Sequence, residues 1–368
     1  MKIVYVYPMI ATKGGVERIL VEKMNCLAQD KRFEIVLLTY NQGTHKLSFP
    51  LDDRVQHIDL LVRTHVQYRY GGLRRLWEGW RRRKWLRQRL QHQLNMLKPD
   101  VIVSTTNGEV TLLNSLRAGI PLVVESHGGF NHVIDYDQNT WIHRLDIRQR
   151  YKEIMKADAV VCLTNADSDC WKRHGFKNVQ VIPNIAHLNP TDILSDYSGK
   201  RVLFVGRFAV QKGIQDLMGI WRKVHWHHPD WTLEMYGENH EQYENSVGDG
   251  ICLHAPTSDI FFKYSEGSML VLTSRWEPFG LVIPEAMSCG LPVVSFEGDG
   301  PCEIINNGVD GFIIKDRNID EFAEKVCELI ENVELRQKMG KNAIQKAQRY
   351  SADRIVPMWK KLFDSLQK

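Results

Sequence analysis

Short apolar runs alternate with longer amphipathic segments along the whole chain. In the first half the runs are Ile3–Tyr7, Phe33–Thr39, Asp100–Ser104, Pro121–Glu125, Ala157–Leu163 and Val179–Ile182. They are rich in Val and Ile and hardly alternate with polar residues, which is how strands covered on both faces of a parallel sheet read. Between them, stretches such as Glu17–Gln29 and Ile142–Lys156 have a helical pattern. The pattern breaks over Pro183–Gly199, where two prolines and small polar residues read as a linker. It restarts with Arg201–Val205, Thr232–Tyr236, Met269–Thr273, Pro292–Phe296 and Gly311–Ile314. Asp320–Asn332 and Glu334–Arg349 are predicted as later helices. Strand–helix alternation of this kind predicts an α/β fold with two Rossmann-like, doubly wound parallel-sheet domains, residues 1–185 and 186–350. Ligands of such sheets collect at the carboxyl ends of the strands, so two sheets facing across a cleft would surround one site with strand-end loops.

Composition narrows the class. At 368 residues, two domains are expected. The 43% hydrophobic and 25% charged residues are those of an ordinary globular protein that needs no disulfide scaffold. Seven cysteines, an odd number without CxxC spacing, predict buried thiols in a reducing compartment rather than a zinc site. The chain opens on a strand without a signal-peptide pattern, and no apolar run approaches the ~20 residues that span a bilayer. The expectation is a cytoplasmic protein, peripheral at most on the inner face of the membrane.

Four loops after strands carry candidate chemistry. The first strand leads into Thr12-Lys-Gly14-Gly15-Val-Glu17-Arg18 and a helix. Paired glycines there allow close approach of a ligand, and the helix N-terminus favours an anion, although a plain strand-to-helix turn reads the same way. This is not GxGxxG, so no nicotinamide cofactor is indicated. His127 stands in Glu125-Ser-His127-Gly128-Gly129, either facing a ligand or hydrogen-bonded within its loop. Strand Arg201–Val205 runs into Gly206-Arg207 and Lys212-Gly213. An Arg fork and a mobile Lys charge beside glycines suit a pyrophosphate. Ser274-Arg-Trp-Glu277-Pro-Phe279-Gly280-Leu281-Val-Ile-Pro-Glu285 places one carboxylate in a loop and another within the following helix. Carboxylates accept strongly from sugar hydroxyls, and the Gly280 region offers helix N–H groups to phosphate. Two solvated glutamates are the plain alternative.

In this order, Gly14-Gly15-x-Glu17, His127, Gly206-Arg207…Lys212-Gly213 and Glu277-x7-Glu285 resemble the family 4 glycosyltransferases of the GT-B fold. Gly290-Leu-Pro292-Val-Val, Gly300-Pro301-x-Glu303-Ile-Ile and Gly308-x-Asp-Gly311 extend the resemblance, and Pro183-Asn184 looks like the family's interdomain turn. The resemblance covers nearly the whole chain and is more specific in the second half. It implies a retaining transferase with an acceptor-binding first domain and a donor-binding second domain. Arg207 and Lys212 would neutralise the donor pyrophosphate, and Glu285 would hold the ribose. Glu277 would contact the hexose, with the Phe279, Gly280 and Leu281 backbone nearby. Gly15 would approach the phosphates, and His127 would lie near the transferring sugar. It implies neither a metal nor another cofactor, and a last helix, residues 351–368, returning to the first domain. The expected partners are a nucleotide sugar, with UDP as the nucleotide, and a glycan or lipid-linked glycan of a cell-surface polysaccharide such as capsule or lipopolysaccharide. A sugar-nucleotide epimerase, a phosphorylase-like enzyme and a non-catalytic sugar-nucleotide binder are the alternatives.

Arg69–Arg89 is strongly basic, with Trp77, Trp80 and Trp85 interleaved. Leu73, Leu76, Trp77 and Trp80 form one helical stripe, and Leu86, Leu90, Leu94 and Leu97 form another rotated from it, so a bent or broken helix is expected. Such a segment suits an anionic membrane, an anionic acceptor or a solvated face over a core stripe. The net charge of +4 and the lack of a reader motif argue against nucleic acid. His225, His227 and His228 are expected to stabilise a helix end rather than bind a metal.

Overall fold

The computed structural model describes the chain apart from residues 13, 131–140, 192, 246 and 368, and apart from the side chains of 141–146. It divides into two compact units, Met1–Ile185 with Val356–Lys368, and Ala186–Ile355.

The first unit holds seven parallel strands: β1 (Lys2–Tyr7), β2 (Glu34–Thr39), β3 (Val55–Asp59), β4 (Val101–Thr105), β5 (Leu122–Glu125), β6 (Ala159–Cys162) and β7 (Val179–Val181). Their order is β3-β2-β1-β4-β5-β6-β7. The second holds β8 (Arg201–Val205), β9 (Thr232–Tyr236), β10 (Ile251–His254), β11 (Met269–Leu272), β12 (Val293–Phe296) and β13 (Gly311–Ile314), ordered β10-β9-β8-β11-β12-β13. Every pairing is parallel. Strand order reverses between β1 and β4, and again between β8 and β11. At these switch points successive connections leave in opposite directions and open a crevice at the strand ends.

The apolar runs form the central strands because both faces are covered. Ile3, Val4, Ile102 and Val123 in the first sheet, and Val202, Phe204 and Leu270 in the second, are almost wholly buried. Two helices of the second unit, Ile214–His227 and Ile319–Glu331, pack together, and Val282–Ser288 packs against Val333–Ala347. In the first unit Trp171 is fully buried among Phe130, Tyr151 and Phe176. The end of the chain joins that unit: Phe363 meets Phe33 with ring centroids 6.3 Å apart, and Lys360 donates to Asp30 at 2.7 Å.

Three expectations change. The basic segment forms one continuous 26-residue helix, Gly72–Leu97, instead of a bent or broken one. Only its second stripe, Leu86, Leu90 and Leu94, enters the core; Leu73, Leu76, Trp77 and Trp80 stay exposed. The two stripes need no bend because the first does not enter the core. The described residues between 186 and 199 carry no helix or strand, yet they are tied to the second unit. Tyr197 Oη donates to Gly290 O at 2.8 Å, Ser195 Oγ to Gly267 O at 2.6 Å, and Asn189 N to Ser288 Oγ at 2.9 Å. Of the seven free cysteines only Cys162 and Cys289 are buried, and Cys302 is exposed. Burial pushes the Cys289 thiol up to about 12.

The helix Gly72–Leu97 gives a direct test of which stripe supports the fold. Leu90→Ala should lower stability by about 2–5 kcal/mol through a core cavity. Leu76→Ala should stay within about 0.5 kcal/mol. Urea unfolding of the two variants checks this.

Candidate active site

The loops after β8 and β11 flank the switch point of the second sheet. Beyond β8 the chain passes Gly206 and Arg207, makes a short turn over Val210–Lys212 and enters the helix Ile214–His227. Gly213 joins turn to helix with φ +65°, and a Cβ there would lie 2.1 Å from the Thr273 carbonyl oxygen. The glycine lets the two loops touch. Thr273 Oγ1 donates to Lys212 O at 3.0 Å, and Arg275 N donates to Gln211 O at 2.7 Å.

This contact sets Lys212 above the crevice. Its Nζ lies 2.5 Å from Glu277 Oε2, and the same oxygen accepts from Ser274 Oγ at 3.1 Å. The two side chains are 17% and 10% exposed, so the pair is partly desolvated but open to a ligand. The Lys212 stem runs past Gly206, where a Cβ would lie 3.7 Å from its Cε. Arg207, next in sequence, is exposed and has no hydrogen-bond or ion-pair partner among the described residues.

After Glu277 the chain buries Phe279, turns through Gly280 at φ +85° and enters the helix Val282–Ser288 after Leu281. Glu285 lies in that helix and is 3% exposed. The Glu277 carbonyl accepts from Gly300 N at 3.0 Å, and a Cβ on Gly300 would sit 2.1 Å from Phe279 O. The sequence-predicted residues Arg207, Lys212, Glu277, Phe279, Gly280, Leu281 and Glu285 therefore belong to two abutting loops and one short helix of the second unit.

Gly15 and His127 belong to the first unit. Gly15 opens the helix Gly15–Ala28, is exposed, and would meet nothing within 4 Å with a Cβ. At its neighbour Gly14 a Cβ would come 2.1 Å from Glu17 Oε2, the movable end of a side chain. Glu17 in turn accepts from Tyr7 Oη at 3.1 Å. His127 follows β5 with a side chain only 7% exposed, its Nε2 3.2 Å from Glu125 Oε2.

Sequence reasoning missed the support of the second-unit loops. Arg317, after β13, donates to Ser274 O at 2.9 Å and Thr273 O at 3.0 Å, pairs with Asp216 and covers the Phe296 ring at 4.3 Å. One guanidinium thus ties the β11 loop to the helix after β8. Its only sequence signal is its place just beyond a strand. Lys23 and Trp359, beside Glu125, were missed as well. His227 ends the helix Ile214–His227 and His228 caps it, as expected for a helix terminus. No three His, Cys, Asp or Glu gather as metal ligands among the described residues.

Two doubly wound sheets with polar loops at their carboxyl ends define a class of proteins that bind nucleotide-like ligands at strand ends. The Glycosyltransferase Family 4 model matches residues 13–189 and the Glycosyl transferases group 1 model residues 190–346. The chain belongs to this glycosyltransferase family. It is 26% identical to an uncharacterized glycosyltransferase of Haemophilus influenzae, over 95% of this chain and 96% of that one. It is 29% identical to the amylovoran biosynthesis glycosyltransferase AmsD of Erwinia amylovora, over 55% of this chain and 61% of the relative. Among solved structures, Anabaena Alr3699/HepE in complex with UDP and glucose matches with a TM-score of 0.72 at 20% identity, over 99% of this chain and 100% of that one. This likeness establishes the GT-B fold.

The tight contact at Gly213 is testable. Gly213→Ala should lower stability by about 1–3 kcal/mol, because a side chain at positive φ meets the Thr273 carbonyl. Gly219→Ala, inside the helix Ile214–His227 with open space around it, should instead raise stability by up to ~1 kcal/mol. Urea unfolding midpoints should move in opposite directions.

Proposed function

We propose that the protein transfers a hexose or N-acetylhexosamine from a UDP-sugar to a glycan or lipid-linked glycan, with retention and without a metal ion. The observation that carries this reading is the Lys212–Glu277 pair, 2.5 Å apart, beside exposed Arg207 at the β8/β11 switch point. A departing diphosphate needs positive charge that is in place before the bond breaks. Lys212 supplies a mobile charge and Arg207 a planar fork with five donors. Glu277 holds Lys212 ready and offers its second oxygen to a sugar hydroxyl. Glu285, buried and fixed in its helix, is suited to the ribose hydroxyls. No side chain is assigned as a covalent nucleophile, so transfer on the face of departure is the reading for retention. The UDP and glucose bound to HepE support the choice of donor, and the part of AmsD in amylovoran biosynthesis supports a cell-surface polysaccharide as product.

The acceptor is proposed to be met at an anionic bilayer. On the helix Gly72–Leu97, Leu73 is 84% exposed and Leu76, Trp77 and Trp80 are each more than half exposed. Arg74 covers the Tyr70 ring at 4.3 Å, Arg75 covers Tyr68 at 4.7 Å and Lys84 lies over Trp80 at 5.5 Å. Rings and leucines of this kind enter the headgroup boundary while the cations meet anionic lipid. Arg82 is less available, since it donates to Val62 O at 2.7 Å and pairs with Glu78. No helix among the described residues is long and apolar enough to cross a membrane.

A panel of nucleotide sugars, with and without EDTA and read as free nucleoside diphosphate, tests the reaction. One donor should be turned over, and EDTA should not stop it. Arg207→Ala and Lys212→Ala should each slow turnover about tenfold or more while the protein stays folded. Wild-type turnover in both would remove the clamp, and failure to bind any donor would remove the reading. Vesicles of anionic lipid test the surface: the double variants Trp77→Ser/Trp80→Ser and Arg74→Ser/Arg75→Ser should each bind several-fold more weakly. Unchanged binding would place the attachment elsewhere.

A further inference from the structure

Lys23 and Glu125 are a charged pair in the interior of the first unit, with side chains 2% and 3% exposed. Lys23 lies on the inner side of the helix Gly15–Ala28, among buried Leu20, Met24 and Leu27. An apolar residue would pack there at lower cost, since burying two ions is repaid only by close geometry and further contacts. Burial pushes the Lys23 ammonium down, against the pull of Glu125. Burial alone would raise the Glu125 carboxyl, but Lys23 and His127 outweigh it and hold it below the usual carboxylate range. The pair is sealed by rings: Lys23 Nζ lies 4.1 Å from the Trp359 ring and 5.1 Å from the Tyr5 ring.

The two carboxylate oxygens of Glu125 have different neighbours. Oε1 accepts from Lys23, and Oε2 faces His127 Nε2 at 3.2 Å. Glu125 ends β5, and the next residue is pinned by Ser126 N donating to Val161 O at 2.8 Å. His127 is therefore attached to the carboxyl end of β5 by one residue of chain and one carboxylate. A carboxylate is an acceptor only, so it selects the imidazole form that carries the proton on Nε2. Both ring nitrogens are buried and neither completes a hydrogen bond among the described residues; Nε2 differs in having the Glu125 carboxylate within 3.2 Å. The ring lines a small crevice with Ser126, Asn184 and Trp359, all within the first unit.

We infer that Lys23 and Glu125 are positioning residues for His127: Lys23 keeps Glu125 charged, Glu125 fixes the tautomer and plane of the imidazole, and Trp359 shuts water from the pair. Nδ1 is then the ring nitrogen left as an acceptor. The chemistry this serves rests on the transferase reading; the geometry stands without it.

Two measurements test the inference. The first is nitrogen-15 NMR of histidine-labelled protein, with the His127 signals assigned by their loss in His127→Gln. The wild type should show the Nε2-protonated form. Glu125→Gln, which can donate as well as accept, should release that restriction and move both ring signals. Lys23→Met should do the same, and Lys23→Arg, which keeps the charge, should restore the wild-type signals. Unmoved ring signals in folded Glu125→Gln would overturn the inference. The second measurement is steady-state turnover of the UDP-sugar. Glu125→Gln should reduce kcat by about tenfold to a hundredfold with donor KM within about twofold. Glu125→Gln/His127→Ala should be no slower than His127→Ala alone. Losses that multiply would mean that Glu125 acts independently of His127, and would also overturn it. If the wild type turns over no nucleotide sugar, the transferase reading fails while the NMR result still decides the positioning role.

Discussion

The second unit depends on contact between two loops that leave neighbouring strands in opposite directions. At the β8/β11 switch point the backbone of Gly213 presses against Thr273 O, which only a residue without Cβ allows. That approach brings Lys212 to Glu277 and lets Thr273 Oγ1 bond Lys212 O. Arg317 fastens the arrangement from β13 by joining two carbonyls of the β11 loop to Asp216. The charged groups thus stand on short, cross-braced loops rather than on free ones. Fixed charge of this kind costs little reorganisation when a ligand's charge develops beside it.

The Lys212–Glu277 and Lys23–Glu125 pairs, one in each unit, differ in solvent access. Lys212 and Glu277 are reachable from solvent, so a ligand can compete for either partner. Lys23 and Glu125 are almost wholly buried beneath Trp359 and Tyr5, so water has little access to them. The first arrangement suits binding and release. The second suits holding a third group, His127, in one orientation. Burial alone separates the two uses, because the same ion pair is far harder to rearrange where water cannot replace a lost partner.

The helix Gly72–Leu97 shows how a single element can serve two environments. Leu86, Leu90 and Leu94 attach its second half to the sheet, while its first half keeps leucines and tryptophans in the open. Arg81 lies over the Trp77 ring and Lys84 over the Trp80 ring. The exposed apolar face is contiguous along the helix, unlike the scattered apolar residues of an ordinary surface.

The sequence by itself determined the alternation of strands and helices, because short Val- and Ile-rich runs without polar alternation, set between amphipathic segments, fit strands covered on both faces of a parallel sheet. It also showed which loops carry Arg207, Lys212, Glu277, Glu285 and His127, because strand-end glycines and charges stand close together in the chain. Only the tertiary structure decided that Lys212 meets Glu277, 65 residues away, and that Arg317 braces both loops. It alone revealed the Lys23–Glu125 pair, whose partners are 102 residues apart, and the cover supplied by Trp359. It also decided that the Gly72–Leu97 helix runs unbroken and that Asn189, Ser195 and Tyr197 bind to the second unit. Periodicity reports which side of an element is apolar. Whether another element covers that side, and which charge from elsewhere in the chain arrives beside it, depends on packing over distances that local pattern does not encode.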